Sequence, residues 1–165
     1  MAISTNIHQS LDEKDRRILA LAQRDAKMPQ AEIARRVRLS TAAVNERLRK
    51  LEAAGFIRRV VALVDARAVG ATVTAFVEVF IEHPRFEPAF LELARGLDEV
   101  QECHHITGDF SLLLKVRVRD MEALQELLIH RINSTEGVRQ TRTIIVLSTS
   151  KEESFVPTGA TEETP

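Results

Sequence analysis

The sequence predicts an α+β protein of two parts, a bundle of three short helices with a helix-turn-helix order and then a βαββαβ domain. Three observations predict it. Apolar residues recur at helical spacing in three stretches between Asp12 and Gly55, the last two separated only by Arg38-Leu39 before Ser40. From residue 73 onward, strand-like alternation is interrupted by two helical stretches. Charge divides along the same line. Residues 12–67 hold 14 Lys and Arg against 8 Asp and Glu, a surplus of +6, whereas residues 68–165 hold 9 against 16, which is −7. A basic front half on an acidic back half suits a nucleic-acid-binding module joined to a separate sensing or assembly module.

Taken in order, residues 1–11 are polar and aperiodic and are expected to form a flexible arm. Helix one spans about Asp12 to Asp25, with acidic residues in its first turn and Ile18, Leu19 and Ala22 inward. Pro29 opens the next helix, Gln30–Val37, whose apolar side is Ile33, Ala34 and Val37. Ser40 is an N-cap residue and Gly55 a left-handed helix stop, so Thr41 to Ala54 reads as a third helix. Val44, Leu48 and Leu51 form its apolar stripe, and Thr41, Ala42, Asn45, Glu46 and Arg49 the opposite face. Phe56 to Val64 is β-branched and basic and reads as a wing strand. Residues 65–72 read as a linker.

In the second half, Thr74–Ile81 reads as a strand and Pro88–Ala94 as a helix stopped by Gly96. Val100–Thr107 and Phe110–Val118 read as strands joined by a tight hairpin at Gly108-Asp109. Asp120 caps a helix carrying Leu124, Leu127, Leu128 and Ile132, and Val138–Leu147 is the last strand. This is the ferredoxin-like order. Its helices cover one sheet face, yet strand one carries apolar groups on both, Phe76 and Phe80 on one side and Ala75, Val77 and Val79 on the other, so burial of the uncovered face against a second copy is expected. Residues 151–165 read as a disordered tail. The predicted division is therefore 12–64 for DNA binding, 65–72 as linker and 73–150 for sensing and oligomerisation.

Composition narrows the function classes. Apolar residues make up 44% of the chain, enough for two small cores, and no run approaches the ~20 residues of a membrane helix. With no secretory leader pattern and a single Cys103, the reading is cytoplasmic. No phosphate loop, dinucleotide fingerprint or nucleophile elbow is present, so an enzyme and a cofactor are not expected. Adjacent His104 and His105 point to opposite strand faces and have no matching ligand set, which argues against a metal. A base-stacking RNA platform is disfavoured because the strand from Phe110 has one aromatic and the chain lacks Trp and Tyr.

The third helix has the size and chemistry to enter a major groove. Asn45 and Arg49 are candidates to read adenine and guanine, respectively. Arg35, Arg36, Arg38, Arg49, Lys50, Arg58 and Arg59 are candidate phosphate contacts, which position a protein without reading sequence. Ser40, Thr41, Ala42, Glu46 and Arg47 complete the candidate DNA-binding set, although Arg47 sits between the stripes and is also placed to pair with an acid of helix one.

Residues 11–150 resemble the Lrp/AsnC (feast/famine) family of regulators. The resemblance is carried by Leu11-Asp-Glu-Lys-Asp-Arg-Arg-Ile-Leu19, Leu39-Ser40, Glu46-Arg47, Leu51-Glu52, Gly55-Phe-Ile57, Val100-Gln-Glu-Cys-His-His-Ile-Thr-Gly-Asp-Phe110, Gly137-Val138 and Thr141-Arg-Thr143. It implies a sequence-specific transcriptional regulator of double-stranded DNA, assembling as a dimer and octamer and responding to an amino acid or related metabolite. It further implies that Thr107, Gly108, Asp109, Phe110 and Ser111, with His104, lie beside the effector. Two departures stand out. Ser111 occupies a position where the leucine-responsive members carry Asp, and Arg38 replaces a glycine frequent before Leu39-Ser40. A side chain at a φ > 0 turn is strained by up to ~1–2 kcal/mol. The rival readings are a metabolite-binding assembly module and a nonspecific architectural DNA binder.

Overall fold

A computed structural model describes residues 11–160; the expected arm except Leu11, and the last five residues of the tail, lie outside that range. The chain divides into two compact units. One holds the described residues up to Ala62 together with the segment from Glu152 onward, and the other is Leu63–Lys151.

In the first unit, α1 (Glu13–Arg24), α2 (Gln30–Val37) and α3 (Thr41–Ala53) follow the expected order. Asp12 caps α1 through a reciprocal box with Asp15: each side chain accepts from the other's backbone N–H. Two α1 cations satisfy the open end of α2, with Lys14 Nζ donating to Val37 O at 2.6 Å and Arg17 to Arg36 O at 3.1 Å. Arg38 then turns the chain at φ 54°, ψ 55°, the only described non-glycine at positive φ. The left-handed turn survives without its usual glycine, and Leu39 N–H closes it on Ala34 O at 3.0 Å. Ser40 Oγ accepts from Ala43 N–H at 3.2 Å and starts α3, and Gly55 at φ 78° ends it. Ile18, Leu19, Ile33, Ala34, Val37, Val44 and Leu51 form the core.

Two expectations for this unit are corrected. The wing segment 56–64 is neither helix nor strand and pairs with no described strand; Val60, Val61, Leu63 and Val64 are exposed instead. The segment 152–160, expected to be disordered, docks on α1. Gln23 bonds both backbone groups of Val156 (3.0 and 2.8 Å), and Arg16 donates to Thr158 O at 2.7 Å. Thr158 Oγ1 donates to Arg16 O at 3.0 Å, and the Arg24 guanidinium lies 5.6 Å from the Phe155 ring centre.

The second unit runs β1 (Val73–Ile81), α4 (Glu87–Gly96), β2 (Val100–His105), β3 (Leu112–Val118), α5 (Met121–Glu126) and β4 (Val138–Ile145). The sheet order is β2-β3-β1-β4, antiparallel throughout, which is the ferredoxin-like arrangement. Ala75, Val77, Val79 and Ile81 alternate into a core with Leu112, Leu114, Val116, Phe90 and Leu124. α5 continues through Leu127–Ile132 as a π-helix, which the periodicity did not predict. The opposite sheet face is open and carries Phe76, Glu78, Phe80, Lys115 and Arg142.

The expected two-residue hairpin is also corrected. Pairing of β2 with β3 begins at His105 opposite Leu112, leaving a six-residue loop, 106–111, closed by Ile106 N–H on Ser111 O at 3.1 Å. Thr107 and Phe110 therefore belong to the loop and not to the strands.

Candidate nucleic-acid interface and effector site

Burying Val44 and Leu51 fixes the rotation of α3, and the remaining face follows from it: Thr41, Ala42, Asn45, Glu46, Arg49 and Lys50 are all exposed. Ser40, as N-cap, sits at the leading end of that face. Thr41 and Asn45 are one turn apart and stand with Arg49 on a continuous hydrogen-bonding strip.

The cations around this strip differ in what they touch. Glu32 on α2 accepts from Arg35 Nε and Nη2 (2.8 and 2.7 Å) and from Arg36 Nε (2.6 Å). Those guanidiniums, Arg35 first, hold the Glu32 carboxyl down to about 2. Glu46 does the same on α3, taking Arg49 at 3.1 and 2.8 Å with Lys50 Nζ 3.5 Å away, and its carboxyl is likewise held below the ordinary range, chiefly by Arg49. Arg38, Arg58 and Arg59 are exposed and make no ion pair among the described residues.

Arg47 is set apart. Its Nη1 lies 2.7 Å from both Asp12 Oδ2 and Asp15 Oδ1, bracing α3 against the capping box of α1. The brace forms part of a cleft of about 390 Å³ lined by Asp12, Asp15, Glu46, Arg47, Lys50 and Phe56. Of the two placements weighed for Arg47, pairing with an acid of helix one is the one observed. The sequence pointed Arg47 to an acid of helix one without singling out Asp12 or Asp15, and it did not name Glu32 as a partner, although Glu32 lies one turn before Arg35 and Arg36.

On the second unit, the loop residues Thr107, Gly108 and Asp109 are exposed, while Phe110 and Ser111 are half-buried. Gly108 at φ 118° turns the loop. The Ser111 hydroxyl accepts from Ile81 N–H at 3.2 Å, and Ser111 N–H donates to Val79 O at 3.0 Å, so Ser111 ties the loop to the end of β1. Arg142 on β4, which sequence reasoning quoted only as part of a motif, stacks 5.0 Å from the Phe110 ring and pairs with Glu78. The guanidinium lowers the Glu78 carboxyl, and Glu78 in turn, with the field of Asp109, raises Arg142. The readable signal was Glu78, the one charge in an otherwise apolar strand.

His104 stands elsewhere on the open face. Its Nε2 is 3.1 Å from Glu102, which also takes Lys115 at 3.3 Å, and its strand partner is Leu113. His105 faces Glu87 at 3.4 Å. Among the described residues no group of three or more His, Cys, Asp or Glu could hold a metal ion, and no helix is long and apolar enough to cross a membrane.

Comparison with known proteins agrees with both units. A winged helix-turn-helix DNA-binding model matches residues 11–58, and an Lrp/AsnC ligand binding domain model matches residues 74–156. The leucine-responsive regulatory protein of Escherichia coli is 38% identical over 146 residues, covering 87% of this chain and 89% of that protein. Among solved structures, a transcriptional regulator from Neisseria meningitidis in complex with L-Met superposes with a TM-score of 0.85 at 30% identity, covering 90% of this chain and 97% of that one. AsnC of Escherichia coli superposes with a TM-score of 0.82 at 29% identity, covering 88% and 98%.

Proposed function

The chain belongs to the Lrp/AsnC family and is a metabolite-responsive, DNA-binding transcriptional regulator, and from that premise we propose which of its residues do each part of the work. α3 reads base edges in a major groove, with Asn45 directed at adenine and Arg49 at guanine. Thr41 and Ala42 contribute from its first turn. Arg35, Arg36, Arg38, Lys50, Arg58 and Arg59 contact phosphates. Arg47 holds α3 in place and touches no DNA. The observation that carries this reading is the exposed polar strip of α3 set opposite its buried stripe.

The effector is an amino acid or closely related metabolite held at the 107–111 loop. Such a ligand needs an anion for its ammonium and a cation for its carboxylate. Asp109 on the loop and Arg142 on β4, stacked against Phe110 of the same loop, are those charges, and their opposite signs on its two sides support the assignment. Ser111, engaged with Ile81 N–H, shapes the loop without supplying charge. His104, tied to Glu102, is a neighbour and not a ligand. The protein works in the cytoplasm as a homo-oligomer, a dimer building towards an octamer. Exposed Phe80, Ile144 and Ile145 on the sheet, and the unpaired segment from Val60 to Val64, support burial against further copies. An effector shifts assembly or helix spacing only by binding the two arrangements differently.

The test is selection from a fragmented genomic pool across a salt series, with and without mixed amino acids. Enrichment of a related palindromic motif that shifts with one amino-acid pool is the expected result. D109N and R142Q should keep the motif and lose the shift. No enrichment at moderate salt would refute the DNA-reading assignment, and an intact shift in both variants would refute the effector assignment.

A further inference from the structure

The two helices that face DNA in this reading share one sequence pattern that their proposed contacts do not explain. Glu32-x-x-Arg35-Arg36 on α2 and Glu46-x-x-Arg49-Lys50 on α3 each place an acid one turn before two cations. In both helices the acid engages both cations. Four of the seven cations assigned to phosphate or base contacts are thus already occupied within their own helix.

Glu precedes Arg in both, the orientation that supports a helix, but such exposed pairs contribute little to stability. Their effect on a polyanion is larger. A clamped cation that moves to a phosphate leaves a carboxylate facing the same phosphate backbone, a penalty that Arg38, Arg58 and Arg59 do not carry. The clamps also remove charge from the term that dominates non-specific binding, in which log K falls by about 0.9 per log unit of salt for each phosphate neutralised.

We propose that Glu32 and Glu46 are specificity-determining residues: intrahelical clamps that hold Arg35, Arg36, Arg49 and Lys50 off the phosphate backbone, so that non-matching DNA is held weakly. A matching site opens both clamps: the base edges that Arg49 gains offset the loss of Glu46, and the phosphates that α2 reaches once α3 is seated offset the loss of Glu32. This inference rests on the DNA-binding reading above.

The experiment uses the full chain and three single variants, E32Q, E46Q and E92Q. Gln keeps the helix propensity and one acceptor oxygen while removing the charge. Glu92 forms the same kind of pair with Arg95 on α4, outside the DNA-binding unit, and serves as the control. Binding is read by fluorescence anisotropy between 50 and 200 mM salt on the selected motif duplex and on a scrambled duplex of equal length, with a thermal melt of each variant. E32Q and E46Q should bind the scrambled duplex several-fold tighter at 50 mM. Each should lose about 3.5-fold more affinity across the fourfold salt range than the wild type, the effect of one added charge. The motif-to-scrambled ratio should fall in both, and E92Q should match the wild type.

Unchanged scrambled-duplex affinity and salt slope in E32Q and E46Q would overturn the proposal, as would a lowered melting temperature with an unchanged slope, which would make the pairs helix props only. E32Q keeps the test sharp if Glu46 itself touches a base, because α2 is not the reading helix. A wild type with no preference between duplexes refutes the sequence-reading assignment instead, and is told apart by needing no variant.

Discussion

Deleting the charge of Arg47 separates a brace from a DNA contact. Arg47 and Asp15 side chains are 31% and 19% exposed, so that half of the brace is shielded, whereas Asp12 is 50% exposed and its share is screened. A charge-assisted bond in the first setting is worth about 1 kcal/mol after discounting, and the exposed half about 0.5. R47M keeps the apolar stem and loses about 1.5 kcal/mol. For a domain of this size that lowers the melting temperature by roughly 6–12 °C. The assay is a circular-dichroism melt of wild type, R47M, D15N and the double variant, with anisotropy binding well below every transition. R47M should melt early, the double variant should recover part of the loss, and the salt slope of DNA binding should match the wild type. A wild-type melt together with a slope reduced by about 0.9 would refute the reasoning and return Arg47 to the phosphate contacts.

Three further outcomes are expected. R38G relieves the left-handed strain at φ 54°, and after glycine's own entropic cost it should raise the melting temperature by a few degrees, a net gain of about 0.5 kcal/mol. Its salt slope should drop by about 0.9 if Arg38 meets a phosphate. G137A should destabilise the second unit by about 3 kcal/mol, since the turn sits at φ 86° and an added methyl overlaps the Phe86 side chain; an unchanged melt would contradict that packing. Burial alone pushes the Asp12 carboxyl up, but the Asp15 N–H and Arg47 outweigh it, leaving it below its ordinary 3.8. A lowered carboxyl stabilises above its ordinary pKa and loses that contribution as pH falls through the lowered one. Melts from pH 7 down to pH 3 should therefore show an acid limb that R47M flattens.

The elements that repeat an apolar residue at a fixed period were legible. Val44 and Leu51 set the rotation of α3, so its exposed strip was readable; β1 was readable as apolar on both faces, but only the packed helices show that Ala75, Val77 and Val79 are the covered side. Loop 106–111 was misjudged because strand ends are set by partner register, His105 against Leu112, and not by residue preference along one strand. The wing failed for a related reason: Val60 and Val61 have strand-forming side chains, but a strand also needs a partner, and the described residues provide none. The π-turn at Leu127–Ile132 shares its apolar residues with an ordinary helix and gave no separate signal. At the site, charge partners were the hidden part. In sequence Glu32 is an ordinary surface acid and Glu46 one member of the DNA-facing set, and only side-chain geometry shows each one engaging two cations at once.

The docked terminal segment changes what counts as the DNA-binding domain. Phe155 to Gly159 belong to the same compact unit as α1, so that unit is assembled from two pieces of sequence separated by the whole of Leu63–Lys151. Cutting the chain at the predicted linker would yield a helix-turn-helix with the Gln23 and Arg16 side of α1 stripped bare. For this protein, the natural unit of dissection is the intact chain, with the terminal segment altered by substitution at Gln23 or Val156 rather than by truncation.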